Sequence, residues 1–274
     1  MRIVSIHCDG LLSLLTWHSS ASLKSSNVVK FWLGPNRVYL ISGSQNVQTL
    51  FRSTNQVSNK KFILMVSENI WAMKKSDLAL LINDRSGTGK KAAPGTEGTP
   101  SEQRIWATVH HNLDQYLARP EATLSLGDLY HKFFSAKLEQ QPSNEWVEVR
   151  LFDFLRASMA ESATKALGGE LLFEVNPDMV DGLWALDEVA FRLLYALPAW
   201  LNPKPLQARA RMQAMMTAYL EEAFKRFDWN SPDADSDWEP IFGSRLMRVS
   251  AKYFRDQGFT LEGRGGLFFS SIFG

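Results

Sequence analysis

Two side chains near the middle of the sequence have types and spacing that suit a binding site. Trp106 and His110 stand four residues apart in a segment predicted to be helical, so they share one face of that helix. His111 follows directly but points about 100° away. An imidazole titrates near neutral pH and can bind a proton or a metal ion. From the residues alone, packing with the histidine at a surface edge is the commoner explanation of such a pair.

A glycine-rich basic segment has part of the pattern of a phosphate-binding loop. It runs from Gly87 to Lys91 with the sequence GTGKK. The motif requires an earlier glycine where Asp84 stands, and a serine or threonine where Lys91 stands in order to hold magnesium. We therefore predict a flexible basic loop here and no nucleotide site.

Three alternating aspartates, Asp233, Asp235 and Asp237, have the spacing with which a calcium-binding loop begins. Such a loop needs glycine at its sixth position and glutamate at its twelfth. The sequence has Trp238 and Ser244 there instead. A solvated linker is the better prediction.

The common motifs of metalloprotease, serine hydrolase and redox chemistry are absent, since no HExxH, GxSxG or CxxC string occurs. The single cysteine, Cys8, lies beside His7 in an unpatterned terminus and allows neither an intramolecular disulfide nor a multi-cysteine metal site. We predict an incidental thiol, and we assign no catalytic residue and no metal ligand.

The composition is that of an ordinary globular protein. The chain has 274 residues, of which 45% are hydrophobic and 22% charged, which allows one large domain or two small ones with a buried core. Its formal charge of +1 gives no general attraction to nucleic acid or anionic lipid. The apolar run Leu11–Leu15 is too short to span a bilayer. As written, the chain is predicted to be soluble and cytoplasmic, without a membrane anchor.

The elements that must position these residues are mainly helical. Residues 1–27 are weakly patterned, and a turn at Gly34–Asn36 joins two predicted strands, Val28–Leu33 and Arg37–Ile41. Helical patterns follow from Ser44, within 62–82, and over 101–118, 122–139, 150–167, 176–198, 203–227 and 240–258. We predict a flexible loop over residues 84–100, a short strand over 146–149 and a polar linker over 230–238.

One helix in this series has well-marked features. The segment 150–167 carries an apolar stripe, and the glycine pair Gly168 and Gly169 is predicted to end it, because glycine accepts a left-handed conformation. The stripe consists of Phe152, Leu155, Met159, Ala163 and Ala166.

The order of elements and several strings resemble the N-terminal half of a cytochrome P-450. Residues 146–155 (WVEVRLFDFL) are similar to the passage from the third sheet into helix E of that family, and residues 163–172 (ATKALGGELL) to the end of helix E. Residues 191–198 (FRLLYALP) resemble the exit of helix F, and the segment from Pro203 resembles helix G. Ser244–Gly258 resembles helix H and Gly266–Phe268 the opening of helix I. The resemblance covers residues 28–274 and is greatest to filamentous-fungal members related to the sterol 7-alpha-hydroxylase group.

The resemblance implies a mainly α fold with a small β-sheet, in which residues 28–274 form a partial cytochrome P-450 domain after a weakly structured N-terminus. It also implies haem as the cofactor. Helix C of the family carries Trp-x-x-x-Arg, whose arginine binds a haem propionate, and Trp106 to His110 matches this string with histidine in place of arginine. The resemblance therefore implies that Trp106 and His110 are cofactor-binding residues, with an imidazole as a weaker anion partner than a guanidinium.

The activity that the resemblance implies is haem-dependent insertion of one oxygen atom into an apolar small molecule, with electrons from a redox partner. A complete member lies at the cytosolic face of the endoplasmic-reticulum membrane through an N-terminal anchor. It also has an acid–alcohol pair in helix I, a Glu-x-x-Arg pair in helix K and a late cysteine that binds the haem iron. Cys8 does not match the loop of that cysteine. We therefore expect a truncated monooxygenase-like protein that does not support the reaction alone.

Two hypotheses from other functional classes remain open on the sequence alone. The scarcity of catalytic motifs and the many amphipathic helices also fit a non-enzymatic helical interaction protein. A small-lipid carrier would rest on the apolar helices alone.

The final residues, 265–274 (GGLFFSSIFG), are apolar without a polar cap. This pattern predicts an exposed apolar end and a poorly soluble or protease-sensitive product. The residues concerned are Leu267, Phe268, Phe269, Ile272 and Phe273.

Overall fold

The computed structural model describes residues 28–33, 36–52, 60–84, 105, 108–109, 112–113, 125–139, 150–194, 200 and 203–273. The chain divides into two compact units. The first comprises Met1–Asn59 with Tyr195–Leu197, and the second comprises Lys60–Leu194 with Pro198–Gly274.

The first unit contains the predicted strand pair. Strands β1 (Val28–Leu33) and β2 (Asn36–Ile41) are antiparallel, with Val28 opposite Ile41 and Leu33 opposite Asn36. Helix α1 (Ser44–Arg52) follows after Gly43, which has a φ of 89°. The hairpin and the helix start are confirmed, because β-branched and aromatic residues favour the strands and the glycine permits the turn between them and the helix.

The described part of the second unit consists of helices and one very short hairpin. In chain order its elements are α2 (Lys60–Asn69), α3 (Lys75–Asn83), α4 (Leu126–Glu139), α5 (Leu151–Gly168), α6 (Leu171–Val175), α7 (Met179–Leu193), α8 (Pro203–Arg226), a 3₁₀ turn (Pro232–Asp235), β3 (Trp238–Glu239), β4 (Gly243–Ser244), α9 (Arg245–Asp256) and α10 (Leu261–Phe273). The prediction of a mainly α fold with a small β component is thus confirmed.

Several predicted boundaries were wrong. The pattern over 62–82 is two helices, α2 and α3, that meet at a corner formed by residues 70–74. Asp84, predicted to start a loop, is buried, and its backbone carbonyl accepts a hydrogen bond from Lys60 Nζ at 3.0 Å. Helix α6 was not predicted. Residues 85–100, 146–149 and 195–199 lie outside the described residues.

The predicted glycine stop after α5 is confirmed and has a tertiary cause. Gly169 has a φ of 85°, and a Cβ there would lie 2.5 Å from the carbonyl oxygen of Pro240. Gly243 has a φ of 72° and lies opposite Gly169 in the same contact. Leu171 N donates to the Pro240 carbonyl at 3.0 Å, so the β3–β4 hairpin packs backbone against backbone on the end of α5. No side chain fits between them.

The segment 230–244 is ordered by a buried ion pair. The predicted linker is a 3₁₀ turn followed by β3, and the helix predicted from Pro240 begins only at Arg245. Arg248 donates to the carbonyl oxygens of Ala234 and Ser236, and its Nη1 lies 3.5 Å from Glu239 Oε1. Burial and hydrogen bonding of these groups override the polar composition of the segment.

The core of the second unit lies between α6, α7, α8, α9 and α10. Tyr219 of α8 is fully buried, and its hydroxyl lies 3.0 Å from the Gly168 carbonyl and 2.9 Å from the Ile241 carbonyl. Its ring packs against Phe268 and Phe242. This side chain therefore links α5, α8, α10 and the hairpin.

The expectation of an exposed apolar end was wrong for three of its residues. Leu267, Phe268 and Phe269 are 6%, 2% and 1% exposed, because α8 and the corner between α2 and α3 cover them. Ile272 is half-buried. The side chain of Phe273 lies outside what the structure describes.

Candidate functional site

The corner between α2 and α3 is fastened to α8 by two long-range hydrogen bonds. Arg209 Nη1 donates to the carbonyl oxygen of Asn69 at 2.8 Å, and Gln213 Nε2 donates to the carbonyl oxygen of Ala72 at 3.2 Å. Burial lowers the pKa of the Arg209 guanidinium from its usual value. Ala72 has a φ of 52°, a left-handed conformation that an alanine adopts only when its surroundings fix it. The corner is therefore a constrained part of the chain.

Two consecutive glycines bring the corner and α8 close to α10. A Cβ on Gly266 would lie 2.9 Å from Trp71 Cβ, and one on Gly265 would lie 3.1 Å from Met216 Cβ. The Trp71 ring meets Phe269 edge to face with 5.2 Å between centroids. Because only glycine leaves room here, the corner, α8 and α10 converge on one small space.

That space is a mainly apolar cavity of about 10 Å³, enough for about one water molecule. We call it the corner cavity. It lies between the corner, α7, α8 and α10, and its lining includes Ile70, Trp71, Leu186, Met212, Met216 and Phe269. Arg209 and Gln213 contribute the polar edge. The cavity is therefore too small to hold an organic molecule.

A buried carboxylate joins the start of α3 to the start of α10. Asp77, in the first turn of α3, accepts hydrogen bonds from the backbone N–H and the hydroxyl of Thr260 at 2.8 and 2.7 Å. It also accepts one from the backbone N–H of Lys74 at 3.3 Å. Thr260 in turn accepts from Gly263 N at 3.1 Å. The first turns of α3 and α10 therefore share one anionic cap, which suits the positive end of each helix dipole.

A second, larger depression lies beside the last turn of α10. This groove of about 770 Å³ runs between α5, α7 and the last turn of α10. Phe152, Leu155 and Met159 line it along α5, Leu183 and Trp184 along α7. It is open and mainly apolar, unlike the corner cavity.

The predicted cofactor-binding pair lies outside the described residues, as does Cys8. The structure describes only some of the residues that lie close to Trp106 and His110 in the sequence. Ile105 is buried at 1% exposure, and Val109, four residues later, packs against the same cluster of α3, α9 and α10 side chains. The prediction for Trp106 and His110 thus stays a prediction.

Among the described residues, no group of three His, Cys, Asp or Glu side chains is arranged to hold a metal ion. The chain's single cysteine is Cys8, so the described residues supply no thiolate. The described residues therefore do not by themselves supply a thiolate ligand for haem iron. In the same part of the chain, no helix is both long enough and apolar enough to cross a membrane.

Comparison with characterised proteins gives one extensive match. The chain is 35% identical over 255 residues to the cytochrome P450 monooxygenase calL of Penicillium decumbens, which covers 93% of this chain and 48% of that protein. The chain belongs to the cytochrome P450 family. It is also 31% identical over 110 residues to fsoE of Humicola fuscoatra and 22% identical over 168 residues to efuG of Hormonema carpetanum, both cytochrome P450 monooxygenases. No protein-family profile and no solved structure matches.

The family prediction and the mainly α fold of the N-terminal portion of a cytochrome P450 are thereby confirmed. The chain spans about half the length of the Penicillium cytochrome P450. The assignment to the sterol 7-alpha-hydroxylase group stays a prediction. Nothing in the comparisons favours the non-enzymatic interaction protein.

Sequence reasoning missed the residues that build the corner cavity. Trp71, Arg209 and Gln213 carry no motif, and they meet across about 140 residues of sequence. Two signals were present: Arg209 and Gln213 stand four residues apart on α8, and Gly265 and Gly266 are adjacent within a helix. Glycines inside a helix indicate a close approach of another backbone.

Proposed function

We propose that this chain is part of a fungal haem-dependent monooxygenase that inserts one oxygen atom into an apolar small molecule with electrons from a redox partner. The observation that carries the proposal is the match to the cytochrome P450 monooxygenase of Penicillium decumbens, which is 35% identical over 255 residues and covers 93% of this chain. A complete protein of this kind would act at the cytosolic face of the endoplasmic-reticulum membrane.

The substrate class is proposed from the family, because the corner cavity has room for about one water molecule and is too small for an organic substrate. Apolar side chains form most of the cavity wall, and its two polar residues, Arg209 and Gln213, donate hydrogen bonds to backbone carbonyls.

Haem would supply oxygen activation when bound to the assembled protein. We propose that Trp106 and His110 share a face and that His110 donates a hydrogen bond to a propionate. Ile105 and Val109 pack into the core, and a position one residue further along a helix turns by about 100°. The pair Trp106 and His110 would thus lie at the border of the buried face.

The test is a single-chain chimera. Residues 28–274 are joined in frame to the region of the Penicillium relative that lies beyond the match, and the purified chimera is reduced under carbon monoxide. We expect the red-shifted Soret band of a thiolate-ligated haem, and a spectral shift on addition of apolar compounds. A folded chimera that takes up no haem would overturn the proposal.

His110 is tested in the same chimera by haem content after gel filtration. His110→Leu should lose haem, and His110→Arg should retain it at least as well as the parent. His111→Leu is the matched control, because helical spacing predicts another face for this residue. Equal retention by His110→Leu and His111→Leu would remove His110 from the site.

A further inference from the structure

Two arginines from neighbouring helices lie over the same aromatic ring. The guanidinium carbon of Arg255, in the last turn of α9, lies 4.8 Å from the centre of the Phe224 ring. The guanidinium carbon of Arg264, in the first turn of α10, lies 5.2 Å from the same centre. Arg255 also lies 5.3 Å from the ring centre of Trp229, which stacks on Phe224. These four residues, which we call the arginine cluster, hold two permanent positive charges close together.

Arg264 is half-buried and lacks a compensating partner. Its Nε atom is enclosed and has no hydrogen-bond acceptor. Among the described residues, no carboxylate forms an ion pair with Arg264 and no acceptor bonds its terminal nitrogens. Removing a cation from water is unfavourable unless an anion or hydrogen-bond acceptors compensate it. A negatively charged group beside Arg264 would therefore stabilise the cluster.

The neighbouring charges leave the cluster positive. Burial and the charge of Arg255 lower the pKa of Arg264, and Asp77 only partly opposes them. The Asp77 carboxylate already accepts hydrogen bonds at the starts of α3 and α10. Asp256 accepts from Arg255 Nε at 3.3 Å and is shared with Lys252 Nζ at 2.8 Å. Neither carboxylate therefore bridges the two guanidinium groups.

The aromatic rings position the arginines without replacing an anion. A ring attracts a guanidinium through its negative face, but it does not satisfy the N–H groups at the guanidinium edge. Trp229 adds a further donor, since its Nε1 is buried without an acceptor in the described part of the chain. The side chain of Arg255 is 39% exposed, so a molecule in solution can reach the cluster.

The number and shape of the donors fit a phosphate group. A guanidinium presents a planar fork of N–H groups that matches a pair of oxygens. A carboxylate has two oxygens, and one such fork engages both of them. A phosphate monoester offers three strong acceptor oxygens and up to two negative charges. It can therefore receive hydrogen bonds from two arginines at once.

We propose that the arginine cluster is a binding site for a phosphate monoester group, carried either by a small soluble molecule or by a membrane lipid. Arg255 and Arg264 donate to the phosphate oxygens, while Phe224 and Trp229 hold the two guanidinium groups in place. The site lies on the ends of α8 and α9 and the start of α10. The proposal does not depend on oxygen insertion or on haem, so its test and that of the proposed function have separate outcomes.

The experiment titrates the full 274-residue chain with inorganic phosphate in a calorimeter, with chloride holding the ionic strength constant. Arg255→Gln and Arg264→Lys should each weaken binding about tenfold or more, because each removes charge-assisted hydrogen bonds. Arg264→Lys keeps the charge and loses only the fork. Arg245→Gln is the matched control, since Arg245 also lies on α9, is 32% exposed and pairs with Asp235 instead.

The control should bind phosphate as the parent chain does. The same dissociation constant in the parent and in both cluster variants would overturn the proposal. Circular dichroism of each variant checks that it is folded.

An arginine-selective reagent provides a readout that needs no variant. Phosphate should slow the reaction of phenylglyoxal with Arg255 and leave Arg245 as reactive as before, as measured by mass spectrometry of the digested chain. The two side chains have similar exposure, so the comparison isolates the ligand. An Arg255 rate that phosphate does not change would overturn the proposal.

Vesicles distinguish the two sources of the phosphate group. Flotation is compared for phosphatidylcholine vesicles that contain phosphatidic acid, a phosphate monoester, and for vesicles that contain phosphatidylserine at the same surface potential. Binding to phosphatidic acid alone that Arg255→Gln abolishes would assign the site to a membrane lipid. Binding of inorganic phosphate without flotation would assign it to a soluble phosphate ester. Equal flotation with both lipids and no binding of free phosphate would overturn the proposal, as would no binding in any arm.

Discussion

The carboxylate of Asp77 caps the first turn of α10 through Thr260, although the two residues are 183 positions apart. Asp77 Oδ1 accepts from Thr260 N at 2.8 Å and Oδ2 accepts from Thr260 Oγ1 at 2.7 Å. Gly263 is required beside this contact, since a Cβ there would lie 2.5 Å from Asp77 Cγ. The pair therefore joins the starts of α3 and α10.

Replacing this carboxylate should therefore be costly. Asp77→Asn turns one acceptor into a donor that faces the Thr260 hydroxyl, and we expect a loss of about 2–3 kcal/mol in the free energy of unfolding. Urea denaturation, monitored by circular dichroism, measures this loss of free energy of unfolding. Glu68→Gln, on the exposed face of α2, is the control and should change little. Similar unfolding midpoints for both variants would contradict the capping role.

Two glycines with nearly the same backbone conformation should respond differently to alanine. Gly169 and Gly258 have φ values of 85° and 81°, but a Cβ on Gly258 meets nothing within 4 Å. Gly258→Ala should cost about 1–2 kcal/mol, which is the penalty of the left-handed conformation alone. Gly169→Ala should cost clearly more, because its Cβ collides with the hairpin backbone. Thermal unfolding of the two variants measures both losses of stability. Equal losses would mean that the hairpin backbone moves aside for the added Cβ.

The buried pair of Glu239 and Arg248 should show strong coupling. Glu239 Oε1 and Oε2 accept from Phe242 N and Ile241 N at 2.7 Å each, while Arg248 supplies the nearby positive charge. Each of Glu239→Gln and Arg248→Met should cost about 3–5 kcal/mol, because each leaves a buried partner uncompensated. The double variant should cost less than the sum of the two. Additive losses in a denaturant cycle would show that the pair is not coupled.

The same glutamate predicts a pH dependence with a definite sign. Burial raises the pKa of Glu239, and the backbone N–H groups of Ile241 and Phe242 and the charge of Arg248 only partly oppose this. The folded chain therefore binds this proton more tightly than the unfolded chain, so the contribution of Glu239 to stability falls as pH rises above about 4.5.

The measurement compares the native chain with Glu239→Gln at several pH values. The native chain should be more stable than Glu239→Gln by an amount that grows as pH is lowered. The growth should begin just above the pKa of Glu239 in the folded chain and end near pH 4.5, its pKa in the unfolded chain. Glu221→Gln, exposed on α8, serves as the control for general charge effects. A difference that shrinks with falling pH would mean that the folded pKa is lowered instead.

The 274-residue chain by itself should not form a thiolate-ligated haem. Its one cysteine is Cys8, whose surroundings in sequence do not match the ligand loop of the family. Reduction under carbon monoxide should give no red-shifted Soret band, and Cys8→Ser should leave the spectrum unchanged. A thiolate spectrum that disappears in Cys8→Ser would make that cysteine the ligand.

The sequence by itself determined the helical class, the hairpin β1–β2, the long helices α5 and α8, and the glycine end of α5. These features depend on local periodicity and on glycine, which act within a few residues. The family could also be predicted from the sequence, because strings such as ATKALGGELL are local features of the chain. No local rule, however, joins Arg209 to Asn69 or Asp77 to Thr260, since those hydrogen bonds connect distant parts of the chain.

Only the tertiary structure decided which apolar stripes are covered. Periodicity shows that Phe152, Met159 and Ala166 share a face, but Ala166 is fully buried while Phe152 and Met159 lie open in the groove. It likewise could not show that Phe268 and Phe269 are buried. A hydrophobic pattern specifies which residues need burial, whereas the neighbouring elements supply the surface that buries them.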